Sequence, residues 1–116
     1  MRCIPLKVLH TADVHLTPSA PERMEAFRAV CDLTVELGCS ALLIAGDLFD
    51  TPEAAASLRA EVRELFDSYE VEFFLIPGNH DAPAFRSGEY YGRNVHTCSE
   101  TAVKWELQGT PIIGIP

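Results

Sequence analysis

The chain has 116 residues, 47% of them hydrophobic and 22% charged, a composition that suits one soluble globular domain with a real core and excludes a disordered or low-complexity chain. Its net charge of −8 repels polyanions and attracts divalent cations, so metal ions are the favoured partners and DNA binding needs a local inversion of the field. No apolar run approaches the roughly 20 residues of a membrane span, the opening MRCIPLKVLH lacks a signal-peptide core, and Cys3, Cys31, Cys39 and Cys98 show no C-x-x-C spacing, so the expectation is a cytoplasmic protein without membrane contact, its cysteines packed or free.

The first predicted element is a buried strand at residues 6–11, LKVLHT. Ser19 and Glu22 then form an S-x-x-E capping box, which predicts a helix with Phe27, Val30, Cys31, Thr34 and Leu37 on its apolar face and Gly38 at its end. A second strand follows at residues 41–46, ALLIAG. Thr51-Pro52 supplies an N-cap and a first-turn proline for a second helix, with Leu58, Val62, Leu65, Phe66 and Tyr69 along one side. The third strand is VEFFLIPG, residues 71–78. A strand–helix–strand–helix–strand order implies an α/β fold in which parallel strands are joined by right-handed crossovers and covered by helices. After Asp81 come an irregular stretch, APAFRSGEYYGRN, and three strand-like pieces, NVHTC, AVKWEL and TPIIGIP, read as hairpin-linked strands with Gln108-Gly109 as a turn.

Each of the three long strands ends in groups suited to chemistry. The first delivers Asp13 and His15 (ADVH), the second Asp47 and Asp50 (GDLFD), and the third Asn79, His80 and Asp81 (GNHD). In open α/β sheets ligands bind beyond the carboxyl ends of the strands, so the three sets face one site. Asp13 and His15, two positions apart in an extended segment, project the same way and can share a cation. Asp47 has two oxygens and can bridge two cations, and Asn79 offers a neutral carbonyl oxygen to the second. A nitrogen and oxygen set without thiolate suits manganese, with iron or zinc as alternatives, and two such ions activate water for attack on a phosphate. Taken singly, each motif reads equally well as a turn or a helix cap, and Asp50 in particular as a cap of the second helix. Their conjunction at three successive strand ends points to one site.

With DVH, GDLFD and GNHD in this order, the chain resembles the calcineurin-like metallophosphoesterases, whose signatures are D-x-H, G-D-x-x-D and G-N-H-[DE]. The surrounding LHTADVHL, LLIAGDLFDTP and IPGNHDAP look most like the SbcCD-type DNA repair exonucleases of that superfamily. The resemblance implies an N-terminal part, residues 1–116, of a layered α/β/β/α sandwich that hydrolyses phosphodiesters with two divalent ions. By it, Asp13 and His15 bind the first metal, Asp47 bridges, Asn79 binds the second, His80 is catalytic and Asp50 orients His80. DNA and an ATPase subunit are the implied partners.

Two departures stand out. Leu16-Thr17 and the proline-rich PSAPE replace the usual Leu-Gly, and neither a further metal-binding histidine nor a G-H-x-H follows. The expectation is a segment that binds at most one ion well and turns over negligibly alone, and whose apolar PIIGIP edge favours homo-oligomers. Arg86 and Arg93 are the candidate substrate-binding residues. Tyr90 and Tyr91 are read as loop packing, His10 as a satisfied buried histidine, His96 as a packing or surface residue, and Trp105 as core. The competing readings are a phosphoesterase of nucleotides or phosphoproteins, and a non-catalytic metal-binding or scaffold module.

Overall fold

The three apolar runs become β1 (Val8–Thr11), β2 (Ala41–Ala45) and β3 (Glu72–Ile76) in the computed structural model of the chain, which describes residues 6–85 and 90–116. They pair in parallel, with Val8 opposite Ala41 and Ala41 opposite Glu72, so the three exits lie along one edge. Between them run α1 (Pro21–Glu36) and α2 (Pro52–Asp67). The last part differs from the sequence reading. β4 (Val95–Thr97) is not hairpin-linked but adds to β3 in parallel, Phe73 opposite Val95, giving the order β1-β2-β3-β4. Among the described residues only β5 (Val103–Leu107) and β6 (Thr110–Gly114) form an antiparallel hairpin, turning at Gln108 (φ 50°) and Gly109 (φ 80°) as a two-residue hairpin loop requires.

Alternation along the strands sorts the core into two layers. Leu42, Ile44, Phe73 and Leu75 face the helices and pack with Phe27, Cys31, Val62 and Phe66. Ala41 and Phe74 face the other way, against Leu107, Trp105 and Ile112 of the hairpin. Trp105, expected in the core, is half-buried there. His96 stacks on Phe74 with centroids 4.8 Å apart and pairs with Glu72 at 2.9 Å, a packing role. His10, expected to be buried, is exposed, because β1 is an edge strand and the hairpin reaches β2 and β3 instead.

The helix ends decide how the loops enter the site. At α1 the capping box does not form: Ala20 is the N-cap, Pro21 takes the first helical position, and Ser19 Oγ lies 3.3 Å from Thr17 Oγ1 instead. The other end is as expected, with Gly38 (φ 69°) closing a Schellman pattern in which the Gly38 and Cys39 N–H groups donate to Val35 and Thr34 carbonyls. Met24, Phe27, Cys31 and Thr34 are buried, whereas Leu37 is about half exposed. At α2, Thr51 Oγ1 accepts from the Ala54 N–H at 3.0 Å, so Asp50 is left free of capping.

Candidate metal centre

The exit of β1 does not stay extended. Asp13 and His15 both adopt left-handed backbone, φ 55° and 53°, so strand alternation is not what aims them. Their N–H groups instead donate to the carbonyls of Gly46 (3.1 Å) and Asp47 (2.9 Å), and the Leu16 N–H to Leu48 (2.8 Å). The loop is thereby laced to the exit of β2 until parallel pairing resumes at Leu16 and Phe49. Asp47 is also left-handed, at φ 52°. Asp tolerates this region better than most residues, and the lacing offsets the cost of holding it.

From these loops His15, Asp47 and the β3-exit residue His80 converge, each offering a ligand atom within 4.8 Å of the others. His80 Nδ1 lies 3.1 Å from Asp47 Oδ2, and the His80 backbone N–H donates to Asp47 Oδ1 at 3.0 Å. His15 Nε2 is 3.9 Å from the same Oδ2, and the two imidazoles meet edge to face at 5.3 Å. Partial burial is the largest influence on the Asp47 carboxyl and pushes it up, but the His80 N–H, the His80 ring and the charges of His80 and His15 together hold it below its ordinary value. It is therefore a ready anionic ligand. Gly78 presses against it: a Cβ there would sit 2.6 Å from the Asp47 nitrogen and closer still to its carboxylate.

Two imidazoles and a carboxylate, with no thiolate, make a donor set that fits a divalent transition metal, and close packing by Gly78 keeps the Asp47 carboxylate in place. Asp13 stands outside the 4.8 Å group and lines an adjoining groove of about 380 Å³ with Val14, His15, Arg23 and Asp50. Asn79 lies exposed in the turn after β3. Asp50 is set against His15 rather than His80, with Oδ1 3.2 Å from His15 Nδ1, because Nδ1 of His80 is turned to Asp47. Asp81 is wholly buried and ties the site together from below, accepting from the Gly78 N–H (2.7 Å) and the Phe49 N–H (3.0 Å).

Arg93 is not brought to this edge. It precedes β4 and lies 3.6 Å from Asp67, the last residue of α2, at the amino ends of the strands. Arg86 lies outside the described residues. Tyr91 packs on Phe49 and Phe85, and exposed Tyr90 lies beneath the Arg63 guanidinium at 5.2 Å. Sequence reasoning passed over Arg23, whose guanidinium reaches His15 and Asp50. A signal existed: a cation at the third position of α1 opposes the helix dipole, which favours acids there.

Comparison with known proteins agrees with this geometry. No curated protein matches the chain. Among solved structures the chain is similar to the nuclease MPE of Pseudomonas putida, at 30% identity and a TM-score of 0.60 over 87% of this chain and 50% of that one, so it spans half the length of that protein. The model of the calcineurin-like phosphoesterases matches residues 6–113. With nearly every described element inside that match, and with its strand exits gathered at one edge, the chain belongs to the calcineurin-like phosphoesterase family.

Proposed function

We propose that the chain carries the metal-binding edge of a phosphodiester hydrolase of the nuclease type. The observation that carries this reading is the convergence of His15, Asp47 and His80, from three strand exits, within 4.8 Å. His15 and Asp47 would hold a divalent ion with Asp13 beside it in the groove, and Asn79 from the third turn would serve a second ion together with Asp47. Bound divalent metal, manganese by preference over iron or zinc, supplies Lewis-acid stabilisation of phosphate charge and a water of lowered pKa. The chain's own contribution beyond ligation is His80. Its Nδ1 faces Asp47, which leaves Nε2 to meet a phosphate oxygen and, when the ring is charged, to give a proton to the leaving oxygen.

DNA is the proposed substrate, supported by the motif context that resembles the SbcCD-type repair exonucleases and by the nuclease identity of a structural neighbour. The same resemblance supports a cytoplasmic repair role beside an ATPase subunit, with this chain as the N-terminal part of a larger phosphoesterase domain. A second reading, a one-ion binding module without turnover, is favoured by one observation: the group has only three donors, and Asp13 lies outside it. Calorimetric titration with manganese, paired with hydrolysis of bis(p-nitrophenyl) phosphate and of an end-labelled oligonucleotide, separates the two. Manganese-dependent cleavage by the complete phosphoesterase domain, lost in Asp47→Asn, is the expected result, with negligible turnover by residues 1–116 alone. Tight manganese binding by that domain with no cleavage of either substrate selects the binding module.

A further inference from the structure

We infer that Arg23 and Asp50 act together as positioning residues for His15, locking its backbone and its ring so that Nε2 is presented to the metal. This role rests on the metal-centre reading above and adds two residues to it.

The geometry runs through one side chain. Arg23 is the third residue of α1, so its guanidinium starts from a rigid base. Its NH1 donates to the His15 carbonyl at 3.0 Å, fastening a residue whose left-handed backbone needs outside support. The same nitrogen lies 3.9 Å from Asp50 Oδ1, and that oxygen lies 3.2 Å from His15 Nδ1. On its other side the imidazole presents Nε2 toward Asp47 Oδ2 at 3.9 Å. His15 is therefore held between two carboxylates, one at each ring nitrogen.

The two carboxylates differ in their surroundings. Asp47 belongs to the three-residue ligand group, whereas Asp50 faces Nδ1, the nitrogen turned away from it. Nδ1 is shielded from solvent and makes no aligned hydrogen bond among the described residues, although Asp50 stands at hydrogen-bonding distance. A small ring rotation completes that bond. With the proton then fixed on Nδ1, the lone pair on Nε2 is committed to the metal side, the arrangement by which a carboxylate orients a ligating histidine and raises its basicity. Asp50 is available for this because Thr51 caps α2. Arg23 supplies the countercharge that lets Asp50 sit in a groove already lined by Asp13, and its planar fork is suited to holding a carbonyl and a carboxylate at once.

The test is manganese titration of the full chain by calorimetry, with cobalt substitution to read the ligand field of the site spectroscopically. Arg23→Gln and Asp50→Asn are each expected to weaken metal binding about tenfold and to shift the cobalt absorption bands, the lower end of what loss of such partners costs. The double variant should be no worse than about twofold beyond either single one, since both act through His15. Arg23→Lys, which keeps the charge and loses the fork, should recover part of the affinity. Thr51→Ala serves as the control: it lowers the melting temperature by uncapping α2 and should leave metal affinity and cobalt spectrum unchanged. Wild-type affinity in both single variants overturns the role, as does a loss in Thr51→Ala that matches theirs. A wild-type chain that takes up no manganese overturns the metal centre itself and this role with it.

Discussion

The backbone N–H of Phe49 donates to Oδ2 of Asp81 across 3.0 Å, between residues 32 positions apart in the chain. Because Oδ1 of the same carboxylate accepts from Gly78, one buried side chain clamps the exit of β2 to the exit of β3. Asp81→Ala leaves the buried Phe49 N–H and the part-buried Gly78 N–H without their acceptor, at about 1–3 kcal/mol for the buried one and less for the other. A loss of about 2–4 kcal/mol in urea denaturation is expected, with Asp81→Asn recovering part of it by keeping one acceptor. A loss below 0.5 kcal/mol, roughly that of an ordinary surface change, would mean that the clamp is not needed.

Two aspartates contribute to acid stability with opposite signs. Asp47 titrates below its ordinary 3.8 in the folded chain, so the unfolded chain binds more protons in that window; its contribution is present above 3.8 and is lost as pH falls through the folded value. Asp81 titrates above 3.8, chiefly through burial, and its contribution grows as pH falls and shrinks as pH rises through the folded value. In metal-free protein, denaturation curves taken from pH 6 downward should therefore lose stability less steeply in Asp47→Asn than in wild type, and more steeply in Asp81→Asn. Parallel curves for all three proteins would refute both assignments.

His80 touches the Asp47 carboxylate twice, through its backbone and through its ring. In the complete enzyme, His80→Asn keeps the backbone contact and removes the imidazole, so manganese affinity should fall less than about fivefold while hydrolysis falls by the 10²–10⁴ typical of a lost acid–base group. Should affinity collapse together with turnover, the ring is a ligand and its proton-transfer role must be abandoned.

Thiol chemistry gives an independent check of the core. Burial, aided by the neighbouring Asp32 charge and opposed by Arg28, pushes the Cys31 thiol from 9.0 up to about 12, which cuts its thiolate at pH 8 about a thousandfold. Cys98 is pushed up by burial as well, whereas Cys39 is half-buried at the end of α1. Iodoacetamide at pH 8 should modify Cys39 while Cys31 and Cys98 resist until denaturant is added, as peptide mass mapping would read. Early modification of Cys31 would show that the packing between α1 and the sheet is looser than described.

Much of the scaffold was legible because its signals are local. The branched apolar runs, Thr51-Pro52 and Gly38 each carry their physical cause within a few residues, and all three became the elements they predicted. Ser19 and Glu22 misled because Pro21, favoured at the first helical position, moves the helix start by one residue and leaves Ala20 as an N-cap without a side-chain hydrogen bond. β4 is three residues long and reaches β3 only after an irregular segment, so its parallel pairing depends on tertiary contacts. In the site, the residue types and their shared edge could be read, but not the left-handed turns at Asp13, His15 and Asp47 or the reach of Arg23. Those depend on carbonyls that a neighbouring loop presents as acceptors, to which sequence spacing is blind.

The left-handed turns also limit which residues the site can accept in future. At a φ near 55°, β-branched side chains are strained, while Asn, Asp, His and Gly are tolerated. Asp13, His15 and Asp47 can thus be exchanged within a small alphabet that consists mostly of metal-binding or metal-sparing amino acids. Asn at these positions preserves the loop and discards the charge, giving folded chains with an altered or silenced centre, whereas Val or Ile perturbs the backbone before any question of ligation arises. A combinatorial library confined to that alphabet should consequently return mostly folded proteins that differ in metal preference, a route to new ion selectivity that leaves the scaffold alone.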